Sequence, residues 1–122
     1  MDIAIDFDGT IVKHEFPRVG ETLPKAIYWM KKFQEAGARL LLNTMRSENF
    51  LDDAVAYCRD NGIEFFGVNR NPEQDSWTSS PKVYAQLYID DASFGCPLVF
   101  AADSRPYVNW DVVGPAVLDM IT

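Results

Sequence analysis

Acidic residues stand in two tight pairs, Asp6 with Asp8 and Asp90 with Asp91, and a hydroxyl, Thr44, and a cation, Lys82, lie between them in the chain. Carboxylates brought to one place repel one another by about 4 kcal/mol per pair at ~4 Å and an effective dielectric near ~20, so such a cluster calls for compensating charge. A divalent cation supplies it. Mg²⁺ takes oxygen ligands in octahedral geometry and keeps several waters, which suits two carboxylates, a main-chain carbonyl and a substrate phosphate. Arg46, two residues past Thr44, brings a guanidinium whose planar fork matches a phosphate. Each residue alone also has a plainer reading. Asp8-Gly9 is a turn pair, Thr44 a strand-end hydroxyl, Lys82 a solvated loop cation, Asp90-Asp91 a helix cap, and Arg46 a surface residue at a helix start.

The elements that must carry these residues are legible as apolar runs and periodicities. Residues 3–7 form a short apolar run ended by Asp8-Gly9-Thr10, a buried strand that stops in a loop. Leu23, Ile27, Met30 and Phe33 recur at helical spacing, so residues 23–36 are predicted as a helix that stops at Gly37. Residues 39–43 read as the next strand, 50–61 as a helix closed by Gly62, and 64–68 as a third strand. Residues 69–81 read as a long loop and 85–89 as a fourth strand running into Asp90. In the tail, 97–101 and 105–108 are extended and 115–121 a helix. Strands separated by helices predict an α/β fold, a three-layer sandwich around a central, mainly parallel, Rossmann-like sheet. Ligands of such sheets bind outside the carboxyl ends of the strands, where Asp6, Asp8, Thr44 and Asp90 are expected.

The run Asp6-Phe7-Asp8-Gly9-Thr10 resembles the first motif of the haloacid dehalogenase-like (HAD) hydrolases, Mg²⁺-dependent phosphatases for the most part. The remaining motifs follow in the family's order: Thr44 after the second strand, Lys82 further on, and Asp90-Asp91 after the fourth strand, over residues 1–95. The resemblance implies that Asp6 and Asp90 hold Mg²⁺ by their side chains and Asp8 by its main-chain carbonyl, with Asp91 in a supporting place. It implies further that Asp6 is the nucleophile, forming an aspartyl-phosphate, and that Asp8 is the general acid and then base. Thr44 and Lys82 would bind and neutralise the phosphoryl group, with Arg46 as a further substrate contact. Relatives that cleave carbon–halogen bonds lack the second acid, so its presence favours phosphoryl chemistry. The intervals 10–23 and 44–82 are too short for the cap domain of larger relatives. A capless site admits small or macromolecular phosphorylated substrates, and a flap, the long loop or a second subunit would have to close it. In the flap segment His14 is read as a solvated side chain, and Asn69, Arg70 and Trp77 fall in the long loop before Lys82, at an edge where loops often select substrate.

Composition narrows the alternatives. The chain has 122 residues, a net charge of −7 and 48% apolar content, which together imply one globular domain over residues 1–122 and no nucleic-acid partner. No apolar run approaches a membrane span, and acids stand where a signal peptide would be basic, so a soluble, cytoplasmic protein is expected. Cys58 and Cys96 are read as reduced thiols. The reading is an Mg²⁺-dependent phosphatase acting on phosphoric monoesters. Its rivals are a non-catalytic binding module on the same scaffold and a phosphotransferase that shares the first half-reaction.

Overall fold

The structure, a computed structural model, describes residues 1–122. Four strands, β1 (Asp2–Ile5), β2 (Arg39–Leu42), β3 (Phe65–Val68) and β4 (Leu87–Ile89), form a wholly parallel sheet in the order β3-β2-β1-β4. Three helices flank it: α1 (Ala26–Glu35), α2 (Glu48–Asp60) and α3 (Trp110–Ile121). A two-stranded antiparallel ribbon, β5 (Leu98–Val99) with β6 (Tyr107–Val108), precedes α3. The expected α/β sandwich is present.

Alternation along the strands decides which layer covers which face. Ile3, Ile5, Leu40, Leu42 and Ile89 point to one face and share a core with Met30 and Phe33 of α1, Ala54 and Cys58 of α2, and Trp110, Val113 and Val117 of α3. Ala4 and Leu41 point to the other face and meet Val83, with Phe66 and Ala85 alongside. All three helices therefore share one face, and residues 69–86 cover the other. Right-handed crossovers require this split: β1 to β2 to β3 moves steadily one way, whereas the return from β3 to β4 runs the other way and so passes behind the sheet.

The return segment has no helix longer than the short 3₁₀ turn at Gln74–Ser76 and is ordered by two buried amides. Asn71 donates to Asp2 Oδ2 at 3.0 Å and to the Tyr84 carbonyl at 3.1 Å. Gln74 accepts from the Tyr84 N–H at 2.9 Å and donates to the Lys82 carbonyl at 2.9 Å. These bonds satisfy backbone groups that a helix would otherwise satisfy for itself.

Helix limits shift from the expected ones for local reasons. α1 starts at Ala26 because Lys25 is left-handed at φ 68°, and it stops where expected, before Gly37 at φ 96°. α3 begins five residues before Pro115, at Trp110, capped by the Asn109 side chain accepting from the Asp111 N–H. Pro115 lies inside the helix instead of opening it.

Candidate active site

The sheet's register carries straight into the site. Asp6 N–H donates to the Ile89 carbonyl at 3.0 Å and Asn43 N–H to the Ile5 carbonyl at 2.9 Å, so the three strand exits leave the sheet side by side. Over them opens a cleft of 390 Å³ bordered by Asp6, Asp8, His14, Thr44, Asp90 and Asp91, with Phe16, Met45 and Arg105 toward its rim. One oxygen from each of Asp6, Asp90 and Asp91 lies within 4.8 Å of the other two. The predicted pair Asp6 and Asp90 is brought together, and Asp91 joins it on equal terms.

A glycine and a threonine make this crowding feasible. Gly9 sits at φ 87°, and a Cβ there would collide with the His14 imidazole and lie 2.5 Å from Asp91 Oδ2. Thr10 is fully buried, with its hydroxyl 3.1 Å from Asp6 Oδ2 and accepting from the Asp91 N–H at 3.1 Å. The Thr10 carbonyl in turn accepts from Trp110 Nε1 at 2.7 Å, which ties the loop after β1 to α3. His14 Nε2 is 3.0 Å from Asp91 Oδ2 and largely shielded from solvent, which corrects its reading as a solvated side chain.

Burial pushes the Asp6 carboxyl up to about 8, and the charge of Asp90 beside it adds to the effect. Asp90 is raised chiefly by burial, with Asp91 adding and the Ala92 N–H opposing. Burial also acts on Asp91, but its hydrogen bonds with His14 and Asp6 outweigh it and hold that carboxyl below the ordinary range. An all-oxygen set of three crowded carboxylates fits a hard divalent cation such as Mg²⁺ and fits no soft metal.

Arg46 departs from its expected role as a substrate contact. Its side chain is 1% exposed, and Nε and Nη2 each donate to an Asp8 oxygen at 2.8 Å. The remaining donors reach the carbonyls of Pro17 at 3.1 Å, Phe50 at 3.3 Å and Arg18 at 2.7 Å. The guanidinium lies 5.0 Å from the Phe7 ring centre and 5.1 Å from that of Phe16. Every donor is engaged, so Arg46 has none for a phosphate. Both Asp8 carboxylate oxygens accept from the same guanidinium, so the expected general acid borders the cleft as one half of an ion pair.

Lys82 also departs from expectation: it is exposed, lies outside the cleft, and has Nζ 5.6 Å from the centre of the Tyr88 ring. Thr44 borders the cleft, its N–H bonded to Asn69 Oδ1 at 2.8 Å and its hydroxyl accepting from Arg46 N–H at 3.1 Å. Asn69 thus supports Thr44, whereas Arg70 pairs with Asp75 and Trp77 packs edge-on to Tyr84 outside the cleft. Thr10 was visible only as the motif's last letter. Arg105 had no signal at all, because its loop has no periodicity.

No protein-family model and no curated protein matches the chain. Among solved structures, a conserved protein coded by a locus of Bacteroides thetaiotaomicron superposes with a TM-score of 0.81 at 36% identity, over 100% of this chain and 93% of the other. The two chains belong to one family. The two chains share this fold over nearly the whole length of both. No helix of the chain is long and apolar enough to cross a membrane.

Proposed function

We propose that this chain is an Mg²⁺-dependent phosphomonoesterase of the HAD type, a reading carried by the convergence of Asp6, Asp90 and Asp91 at the carboxyl edge of the sheet. Asp6 and Asp90 by their side chains and Asp8 by its main-chain carbonyl would hold the ion, with Asp91 in support, and the ion when bound would keep the carboxylates ionised and draw charge from the phosphoryl group. An Asp6 oxygen forms a bond to phosphorus as the ester P–O bond breaks, and the departing oxygen takes a proton from Asp8. Water then attacks the aspartyl-phosphate, its proton passes to Asp8, and inorganic phosphate leaves with Asp6 restored. Thr10 orients Asp6 through its hydroxyl, and Thr44 faces the same cleft. Each Asp8 oxygen accepts one bond from Arg46 and keeps a second lone pair that can carry a proton.

The engaged Asp8 favours a second reading, a phosphate-binding module without turnover. One assay separates the two. Hydrolysis of an aryl phosphate should stop with chelator, return with Mg²⁺, and fall about 10³-fold or more in Asp6→Asn with the circular dichroism spectrum unchanged. Metal-independent hydrolysis, or activity that survives in Asp6→Asn, would overturn the phosphatase. Phosphate binding without any turnover would establish the module.

A further inference from the structure

Beside the acid cleft lies a second, more enclosed recess of 340 Å³, and His14 and Arg105 border both. Its other walls are Lys13, Glu15, Asp103, Ser104 and Tyr107. The size sits at the low end of the roughly 300–1,000 Å³ usual for small-molecule sites. Charge on the walls balances, Lys13 and Arg105 against Glu15 and Asp103. Lys13 is already 3.8 Å from Glu21, and Glu15 is 3.2 Å from Arg18. No ion pair engages Asp103 or Arg105.

We infer, on the phosphatase reading of the acid cleft, that this recess seats the alcohol half of the substrate, a small uncharged polyhydroxy compound, and that Arg105 grips the phosphate where the two halves join. In-line displacement sends the leaving oxygen away from Asp6, so the alcohol must occupy space that adjoins the cleft. Arg105 is the cleft's one cation without a protein partner, since Arg46 is spent on Asp8 and His14 on Asp91. Its fork can serve a phosphate oxygen and a hydroxyl at once. A polyol offers donors and acceptors in alternation, which suits walls that carry both. A nucleobase would want a stacking face on each side, and the recess has the Tyr107 ring and the small His14 imidazole, which Asp91 already holds. An acyl chain would bury Asp103 against hydrocarbon.

Binding and turnover test this separately. By calorimetry with Mg²⁺, Asp6→Asn should bind a hexose phosphate about 10-fold more tightly than inorganic phosphate, and adding Asp103→Asn with Ser104→Ala should erase that preference. Arg105→Ala should weaken both ligands by about 30-fold or more, with Arg105→Lys between. In turnover, hexose and glycerol phosphates should exceed an aryl phosphate and a nucleoside monophosphate in kcat/KM by about 10-fold, and the Asp103/Ser104 double variant should collapse that ratio. Equal binding of hexose phosphate and inorganic phosphate, a preference for the aryl or nucleoside ester, or phosphate affinity lost in Lys82→Ala and kept in Arg105→Ala would each overturn the inference. Binding preference without any turnover would overturn the phosphatase reading alone and leave the recess assigned.

Discussion

Arg46 shows how a residue's chemistry depends on what its donors have already met. Five hydrogen bonds and two flanking rings make it the tie between the loop after β1, residues 16–18 of the flap and the first turns of α2. Removing one partner of a buried ion pair strands the other charge, so Arg46→Ala should lose about 3–5 kcal/mol in urea unfolding. A loss under about 1 kcal/mol would mean that Asp8 is rehydrated easily and the tie is weak. Crowded acids make the opposite prediction. In metal-free protein, Asp90→Asn relieves repulsion on Asp6 and should raise Tm by about 3 °C or more, while Mg²⁺ should raise the Tm of the parent and not that of the variant. Scanning calorimetry with and without chelator reads both effects. A metal-free Tm that falls in Asp90→Asn would show that the acids are not in conflict.

At the scale of elements, the loop after β1 supplies Asp6, Asp8 and His14 and braces Asp91 through Thr10, and Gly9 is its tightest point. A side chain there faces both an unfavourable φ of 87° and the space held by His14 and Asp91. Gly9→Ala should therefore destabilise the fold by about 2–4 kcal/mol and blunt the Mg²⁺-induced rise in Tm, because Asp91 must move. Thermal melts with a Mg²⁺ titration check this, and an unchanged metal response would show that Asp91 is not a ligand. The return segment 69–86 works by a different principle. It forms a layer through side-chain amides in place of a helix, and through Asn69 it reaches the site to hold the Thr44 N–H.

Across the whole molecule, the two ends of the sheet have different tasks. The carboxyl ends gather more acids than bases, leaving Asp6 and Asp90 without a basic partner, and at the amino ends the acids are paired. There Asp2 accepts from Arg39 Nε at 2.8 Å and from Asn71 at 3.0 Å, while Arg39 also reaches Glu73 at 2.7 Å and stacks 4.1 Å over Phe66. Burial alone would raise the Asp2 carboxyl, but the bonds from Arg39 and Asn71 outweigh it and hold it below the ordinary range. A carboxyl lowered on folding stabilises the protein above its unfolded value, about 3.9, and that stability is lost as pH falls through the folded value. Asp2→Asn should thus cost about 1–3 kcal/mol at pH ~7, and the gap from the parent should close on acidification below pH ~4. Denaturant titrations across that range measure it. A gap that stays constant with pH would show that the pairing is not charge-dependent.

Strand and helix identities, their order and the motif acids were legible in the chain because apolar spacing and turn residues are local signals, read without knowing any neighbour. Asp6, Thr44 and Asp90 could be placed at one edge for the same reason, since a parallel sheet aligns its strand ends. What Arg46, Lys82, His14 and Arg105 do was not legible. A long side chain spans several residues' worth of chain, and its partner is whatever the fold brings within hydrogen-bond reach. The fold brought Asp8 to Arg46, Asp91 to His14 and the Tyr88 ring to Lys82, and it left Arg105 free beside the cleft. Those pairings join residues up to 77 positions apart, a separation that no local pattern encodes.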